Sequence, residues 1–400
     1  MSLEVGDPVL PCPFCRTSLY LSPGRPLRYR LAAALGVATE PTFHLPFWRI
    51  RGVRYRAAAE PAGVEGNLLD ATVPAWQGAP AGANLGVRPQ AAHLTLVSGR
   101  GATPDVSADE AQAVAEARYD RLEPARALFT RLIGETRSLI EAPFLLEEGP
   151  TGGRLREALP DATSYPLDPP AVQAVRALGE RAPAEEPAPF LPLLCPECGH
   201  GLPAASGAAA FLCGQCTRCW RVTAQGLAPL TVFGAPGGSR DARLFPFWHL
   251  AFAAEGLPFT SRAELRRWAI PYQPAPTGWE GEPPSLLVPA FKAQPRTFLR
   301  TAKAMSIAPL AAPGALSPGR VLDAEPVRLP ITEAAQALKP VLAHLVETFR
   351  RSYPAVAPAK LRITGADLWF LPFEPRGAEW IHASTGFALQ ATSVRHGARL

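Results

Sequence analysis

The sequence predicts an α+β fold built from two tandem, diverged copies of one module. The prediction rests on short motifs that recur in the same order, on strand-length segments of aromatic and aliphatic residues, and on helix-start signals that follow them. The chain has 400 residues, of which 47% are hydrophobic, and this length exceeds that of a typical single core. Two to three domains are therefore expected.

Five short motifs carry the repeat. In the first half they lie at residues 12–15, 46–48, 73–76, 109–111 and 142–144, and in the second half at 195–198, 246–248, 288–291, 332–334 and 371–373. The offset between the copies grows along the chain, which indicates insertions in the second copy. Chance recurrence of Pro-aromatic pairs is the alternative in a chain with 46 Pro and 18 Phe, but the shared order argues against it.

The segment between the copies has the composition of a linker. Residues 178–190 are rich in Pro, Ala and Glu and contain few apolar side chains. Proline restricts its own φ angle and the conformation of the preceding residue, so such a linker is extended and fairly stiff. We therefore predict a first α+β module over residues 1–177 and a second over residues 191–400.

Each module is predicted to combine strands with a helix. Residues 43–55 and 244–252 mix aromatic, aliphatic and β-branched side chains over strand lengths, as half-buried strands do. Residues 107–118 begin with Ser and carry acidic residues in the first turn, which favours a helix start, and residues 332–350 repeat the pattern. Pro340 is expected to kink or split this second helix, because proline removes a backbone donor.

Four cysteines in the second half have the spacing of a metal site. Cys195 and Cys198 are followed, after fourteen residues, by Cys213 and Cys216. Two Cys-x-x-Cys pairs at this separation can place four thiolates tetrahedrally around one zinc ion. When protein ligands fill all four positions, the ion stabilises the fold and leaves no place for water or substrate. One structural Zn²⁺ per chain is therefore expected.

The second of these pairs has two possible registers, because Cys219 follows Cys216 after another two residues. We favour Cys213 with Cys216 and keep Cys219 as the alternative ligand. The motif Cys-Pro-Glu-Cys-Gly with a second pair resembles the zinc-ribbon class over residues 195–222. The resemblance implies a small three-stranded unit held by metal, with which the second module begins. That class serves nucleic-acid binding, protein contact and stabilisation alike, so it selects no function.

Cys12 and Cys15 form a third pair that lacks two ligands. Four interpretations are open: a degenerate knuckle, which we favour; a partial second site completed by His44 or His93; a site completed by Cys219 across the modules; and a redox dithiol. A thioredoxin-type dithiol opens a helix whose N-terminus lowers the thiol pKa. The residues after Cys15 instead predict a strand and a turn.

A basic strand is the candidate nucleic-acid surface. Its residues are Arg49, Arg51, Arg54, Tyr55 and Arg56, and alternate positions of a strand share a face. Paired guanidinium groups beside a tyrosine can contact phosphates and stack on bases. A solvated face, or an edge strand that charge protects from further pairing, is the interpretation we favour.

Composition and missing motifs narrow the class of protein. The net charge of +5 permits a nucleic-acid partner without requiring one. We recognise no signal peptide and no membrane span, and the paired cysteines favour metal binding in a reducing compartment, so we expect a cytoplasmic protein. Phosphate-binding and dinucleotide-binding loops are missing, as are the His-Glu-x-x-His and Gly-x-Ser-x-Gly motifs.

These features lead to one functional expectation and two alternatives. We expect a non-catalytic zinc-binding scaffold or adaptor whose surface contacts a partner protein that the sequence does not name. The first alternative is a nucleic-acid-binding zinc-ribbon protein that uses the strand from Arg49 to Arg56. The second is a thiol redox enzyme that uses Cys12 and Cys15.

Overall fold

The computed structural model describes residues 7–12, 14–21, 25–34, 42–91, 94–97, 104–122, 127–180, 189–203, 205–316, 323–349 and 351–397. These residues form a mixed α/β structure in which strands predominate, arranged as two small sheets, two large sheets and eight helices. No helix within these ranges is long and apolar enough to cross a membrane.

Two small three-stranded sheets surround the cysteine pairs. The first has the order β1 (Val9–Pro11), β2 (Ser18–Leu21) and β10 (Phe190–Pro192), and all its pairs are antiparallel. The second contains β11 (Ala210–Leu212), β12 (Cys219–Thr223) and β13 (Gly226–Leu230). We call β1 with β2 the N-terminal hairpin, and residues 195–230 the ribbon. The first sheet therefore joins the N-terminal hairpin to the strand that leads into the ribbon.

The first large sheet contains the long strands of the first half. Its members are β3 (Leu27–Leu31), β4 (Phe43–Ala58), β5 (Gly63–Pro74), β6 (Leu94–Leu96), β7 (Ala127–Gly149), β8 (Gly152–Glu157) and β9 (Ser164–Leu167). The order is β5-β4-β7-β3-β6, and β8 pairs with both β7 and β9. Only β3 and β7 run parallel.

The second large sheet has the corresponding members of the second half. They are β14 (Val232–Gly234), β15 (Arg243–Glu255), β16 (Ser285–Pro289), β17 (Lys360–Arg376), β18 (Glu379–His382) and β19 (Ala388–Gln390). The order is β16-β15-β17-β18-β19, and β14 runs parallel to β17. Both sheets therefore place their two long strands side by side, β4 with β7 and β15 with β17. In each sheet an antiparallel strand, β5 or β16, flanks the first long strand, and a parallel strand, β3 or β14, and an antiparallel strand, β8 or β18, pair with the second. Strand β6 has no counterpart among the described strands of the second sheet.

Eight helices and one 3-10 turn accompany the sheets. They are α1 (Arg88–Ala91), α2 (Ala108–Leu122), α3 (Pro169–Glu180), α4 (Arg262–Ala269), the 3-10 turn Trp279–Gly281, α5 (Pro295–Ile307), α6 (Ile331–Val346), α7 (Ser352–Ala355) and α8 (Ala391–Gly397). The predicted strands at 43–55 and 244–252 are confirmed as parts of β4 and β15, and the predicted helices correspond to α2 and α6.

Matching aromatic contacts occur in the two large sheets. Phe47 and Phe144 stack with ring centroids 5.9 Å apart and planes inclined by 10°. Phe247 and Phe373 stack with centroids 6.3 Å apart and the same inclination. In each case the rings belong to the two central strands of a sheet, so the motifs that recur in the sequence occupy corresponding positions.

A tryptophan in each large sheet anchors the chain just before a helix. Trp48 donates its indole N–H to the carbonyl of Val106 at 2.7 Å, two residues before α2. Trp248 donates to the carbonyl of Leu329 at 2.8 Å, two residues before α6. A buried indole N–H needs such an acceptor, and the same need is satisfied at the same place in both halves. The arrangement of strands, aromatic stacking and these anchors hint at two similar modules.

The largest apolar core contains residues from both large sheets. Val53, Tyr55 and Ile133 of the first sheet are buried together with side chains of the second sheet, α5 and α6. The ring of Tyr55 lies 5.9 Å from that of Phe298 on α5. Helices α5 and α6 thus fill the space between the sheets and contact both of them.

The predicted split at Pro340 is wrong, and the predicted linker overlaps an element at each of its ends. Helix α6 continues through Pro340 without a split, because ten of its side chains, Pro340 among them, are buried and packing holds the helix despite one missing hydrogen bond. The predicted linker at 178–190 begins within α3, where Leu178 is buried in an apolar core of the first half, and its last residue lies in β10. The domain bounds stay a prediction. Its residues 181–188 lie outside the described ranges.

The contact between the halves predicts that a substitution in β5 destabilises the protein at one glycine and not at another. A Cβ atom at Gly66 would lie 2.4 Å from the Cβ of Pro295 and 3.0 Å from the Tyr55 ring, whereas a Cβ at Gly63 meets nothing within 4 Å. We expect Gly66→Ala to lower the free energy of unfolding by about 1–3 kcal/mol through overpacking. Chemical denaturation measures this change in the free energy of unfolding, and Gly63→Ala is the control. Equal stability of the two variants would contradict the contact between β5 and α5.

Candidate metal centre

Four cysteine sulfurs converge at one point of the ribbon. The Sγ atoms of Cys195, Cys198, Cys213 and Cys216 all lie within 4.8 Å of one another. The separations Cys195–Cys216 and Cys198–Cys213 are both 3.6 Å. A tetrahedral ion with bonds of about 2.3 Å to sulfur needs sulfurs about 3.8 Å apart, whereas a disulfide needs about 2.0 Å. The cluster therefore has the dimensions of a metal site.

Both cysteine pairs lie on tight turns with the same backbone hydrogen bonds. The amide of Cys195 donates to the carbonyl of His200 at 2.8 Å, and the amide of Gly199 donates back to the carbonyl of Cys195 at 2.8 Å. The turn that starts at Cys213 repeats these bonds at 2.8 and 3.1 Å. Gly199 and Thr217 both have left-handed backbones, with φ of 72° and 59°. Such turns direct both sulfurs of a pair to one side.

Burial and hydrogen bonds from backbone amides have opposite effects on the pKa values of these thiols. Burial raises the pKa of Cys216 to about 12, because the charged form is poorly solvated there. Burial also acts to raise the pKa of Cys195, but hydrogen bonds from the backbone at Cys198 and Glu197 outweigh it and hold the value at about 7. A bound divalent cation would favour the thiolate form of all four residues and would release their protons.

The ribbon is anchored on two sides. On one side Phe211 packs edge-to-face against Tyr20 of the N-terminal hairpin, with ring centroids 6.3 Å apart. On the other side the ribbon contributes to the core between the large sheets, and the amide of Ala209 donates to the carbonyl of Val327 at 2.7 Å. Loss of order at the four sulfurs would therefore disturb both the N-terminal hairpin and the segment around Val327 that precedes α6.

Cys219 does not join the cluster. It lies in β12 opposite Leu212, is 1% exposed, and belongs to the core between the large sheets. Burial raises the pKa of its thiol to about 12. The structure therefore brings Cys213 and Cys216 to the site in the register that we favoured, and Cys219 behaves as a small apolar side chain.

Cys12 and Cys15 stand apart from the four clustered cysteines. Among the described residues, no group of three or more neighbouring metal-binding side chains contains either of them. His44 lies in β4 near Arg30 and Glu141, and burial lowers the pKa of its imidazole. His93 lies outside the described residues. The pair follows β1 and precedes β2, so it does not open a helix as a thioredoxin-type dithiol does.

The predicted nucleic-acid surface is buried, which corrects the expectation for that strand. Arg49 is 3% exposed and makes a bidentate ion pair with Asp70, with N···O distances of 2.9 and 2.7 Å. Arg54 is 2% exposed and pairs with Asp120. Tyr55 is 2% exposed, and burial raises the pKa of its hydroxyl. Side chains committed to the interior in this way cannot stack on bases or reach phosphates.

The other two arginines of that strand, Arg51 and Arg56, do not form a nucleic-acid surface either. Arg56 is 7% exposed. Arg51 is partly exposed, but its Nε lies 3.6 Å from the carboxylate of Asp70. The strand β4 is flanked by β5 and β7 on its two sides, so the alternation of arginines reflects packing inside a sheet and not an exposed edge.

A cleft between the two halves contains cations that we did not predict as a site. It lies between β5, α5 and the C-terminal end of α6 and has a volume of about 690 Å³. Arg296, Arg300 and Lys303 line it from successive turns of α5. Lys303 donates to the carbonyl of His344 at 3.2 Å. Arg296 and Arg300 are exposed, and neither makes an ion pair with another described residue.

The rest of the cleft is partly apolar and partly acidic. Val64, Leu299 and Phe387 contribute apolar lining, whereas Glu65 and Glu347 contribute carboxylates. Glu347 accepts a 2.9 Å contact from the His344 ring. The cationic spacing on α5 is visible in the sequence as a helical period of three and four residues. No sequence pattern, however, indicates that β5 of the first half lies opposite.

Comparison of the chain with protein-family models, with curated proteins and with solved structures finds no match.

The candidate metal centre predicts that replacing one buried cysteine abolishes metal retention and that replacing another does not. We expect Cys213→Ala to abolish metal retention and to destabilise the ribbon strongly, because a structural metal contributes on the order of 10 kcal/mol to folding. Cys219→Ala serves as the matched control, since it removes an equally buried thiol outside the cluster, and it should retain the metal. Elemental analysis with thermal unfolding measures both effects; metal loss only in Cys219→Ala would overturn the assignment.

Proposed function

We propose that this protein is a non-catalytic scaffold in which a zinc-held ribbon supports two duplicated modules, and that the cleft between the modules binds an acidic segment of a partner protein. Zinc is the proposed ion because a closed set of four thiolates suits it and because such sites are structural. The four cysteines that hold it are Cys195, Cys198, Cys213 and Cys216.

The proposed duplication is supported by correspondences that chance does not produce together. The large sheets share the arrangement of strands around their two long strands, and the stacked phenylalanine pairs and tryptophan anchors recur at the positions of the sequence motifs. A duplicated scaffold forms a cleft where its copies meet, and such junctions are common binding sites.

The observation that carries the binding proposal is the pair of exposed arginines without ion-pair partners among the described residues. Arg296 and Arg300 face a concave site that is partly apolar. An exposed guanidinium fork recognises a carboxylate through two parallel hydrogen bonds. The apolar lining by Val64, Leu299 and Phe387 offers contact to aliphatic side chains of the same ligand.

An acidic peptide fits this cleft better than a nucleic acid does. Glu65 and Glu347 also line it. A peptide can place its few carboxylates at the arginines and uncharged residues near these glutamates, whereas a phosphate backbone carries a negative charge at every unit. The arginine-rich strand that suggested nucleic acid is buried and paired. Nucleic-acid binding is therefore the competing outcome of the test.

The binding proposal is tested with a peptide library displayed on beads and the full-length protein as probe. We expect the retained peptides to be enriched in Asp and Glu together with aliphatic residues. The double variant Arg296→Glu with Arg300→Glu should weaken binding about tenfold or more, which corresponds to about 1.4 kcal/mol. Binding should also weaken with added salt, because the contacts are between exposed charges.

The control is Arg362→Glu with Arg395→Glu, which changes the net charge equally at exposed positions that do not line the cleft. This variant should bind the selected peptides like the unmodified protein. Equal losses in both double variants would refute a specific site and leave a general charge effect. Retention of random single-stranded RNA or DNA with a steep salt dependence, and no peptide selection, would favour the nucleic-acid alternative.

A further inference from the structure

The turn that carries Cys12 and Cys15 has the backbone of the two metal-site turns. The amide of Cys12 donates to the carbonyl of Thr17 at 2.8 Å, and the amide of Arg16 donates back to the carbonyl of Cys12 at 2.9 Å. The corresponding bonds in the Cys195 and Cys213 turns measure 2.8 to 3.1 Å. Three cysteine pairs therefore have one hydrogen-bond pattern, although only two of them meet at the clustered site.

The residue after the second cysteine is left-handed in all three turns. Arg16 has φ of 59°, compared with 72° for Gly199 and 59° for Thr217. A non-glycine residue seldom adopts this conformation. A pair that had lost its metal-binding role would be free to relax this backbone, yet the turn at Arg16 keeps it.

The second thiol of the pair also accepts the same kind of hydrogen bond. The hydroxyl and the amide of Thr17 both donate to the sulfur of Cys15 and lower the pKa of its thiol. The amides of His200 and Arg218 contact Cys198 and Cys216 at the equivalent position of their turns. Donors of this kind stabilise a metal-bound thiolate.

The pair is accessible and incomplete. Cys15 is exposed, Cys12 is half-buried, and Phe14 between them is 94% exposed. Within the described ranges no third ligand lies near the two sulfurs. A tetrahedral thiolate site needs two more, and the described residues do not supply them.

We propose that Cys12 and Cys15 form half of a second metal site, which the same pair of a second copy of this chain completes. Two copies related by a twofold axis supply four thiolates without any other residue. Each thiol transfers its proton to solvent as its bond to the ion forms, so one divalent ion binds with the release of four protons. The ion is thiophilic, and zinc is the first choice for four sulfurs.

A second copy is favoured over an unrelated partner by the surroundings of the pair. Phe14 projects from the tip of the turn, and a symmetric contact would bury it against its own counterpart. Leu194 is 44% exposed. It comes directly after Leu193, whose amide donates to the carbonyl of Ser18. Leu194 therefore lies at the end of the first small sheet that carries the cysteine turn. The contact surface is thus apolar and small, so the shared ion supplies most of the specificity.

The test uses the full-length protein with Zn²⁺ as the probe, and measures mass by light scattering together with zinc per chain by elemental analysis. We expect a zinc-dependent dimer with about three ions, one in each ribbon and one shared. A mild chelator should remove about one ion per dimer and yield monomers that each keep one ion. The double variant Cys12→Ser with Cys15→Ser should stay monomeric with about one ion per chain.

The control variant Phe14→Ser keeps both thiols and removes the exposed ring. It should retain the third ion and the zinc-dependent dimer at saturating protein concentration. A monomer with two ions per chain would overturn the proposal, because the site would be completed within the chain. A monomer with one ion at saturating zinc would show the pair to be vestigial. A dimer that forms without zinc, and that only Phe14→Ser abolishes, would also overturn it. The result does not depend on ligand binding in the cleft.

Discussion

Burial of α5 and α6 between the two large sheets is the interaction on which the rest of the molecule depends. An amphipathic helix normally covers one sheet and leaves its other face to water. Helix α6 buries ten side chains and contacts strands of both sheets, so neither half has a complete core without the other. The same arrangement brings β5 opposite α5 and thereby forms the cleft that Arg296 and Arg300 line.

The proposed metal ion at the cluster of four cysteines would add a second constraint that apolar packing cannot supply. The ribbon is small, and its core consists of few side chains around Phe211 and Trp220. Units of this size rarely hold together by burial alone and commonly need a metal or disulfides. Because β10 pairs with β2 while Ala209 bonds to Val327, order at the sulfurs would be transmitted to the N-terminal hairpin and to the segment that precedes α6.

Several arginines of the first half serve internal ion pairs. Arg49 pairs with Asp70, and Arg28 and Arg30 both pair with Glu141, which is 3% exposed. A buried charge is tolerated only when it is paired and hydrogen-bonded. A run of basic residues in a sequence can therefore reflect internal ion pairs as readily as a surface for polyanions. Arg296 and Arg300 on α5 differ from these arginines, because they are exposed and make no ion pair with another described residue.

The sequence by itself determined the local features: the strands β4 and β15, the helices α2 and α6, the recurring motifs, and the four cysteines that come together. These follow from side-chain periodicity, capping residues and ligand spacing, which act over a few residues. Only the tertiary structure decided that Arg49 and Arg54 are buried, that α6 runs unbroken through Pro340, and that Cys12 and Cys15 lie on a turn like those of the four clustered cysteines, with no third ligand among the described residues. Those outcomes depend on contacts between residues far apart in the chain, such as Arg54 with Asp120 or β2 with β10, and no local pattern encodes which distant segment arrives.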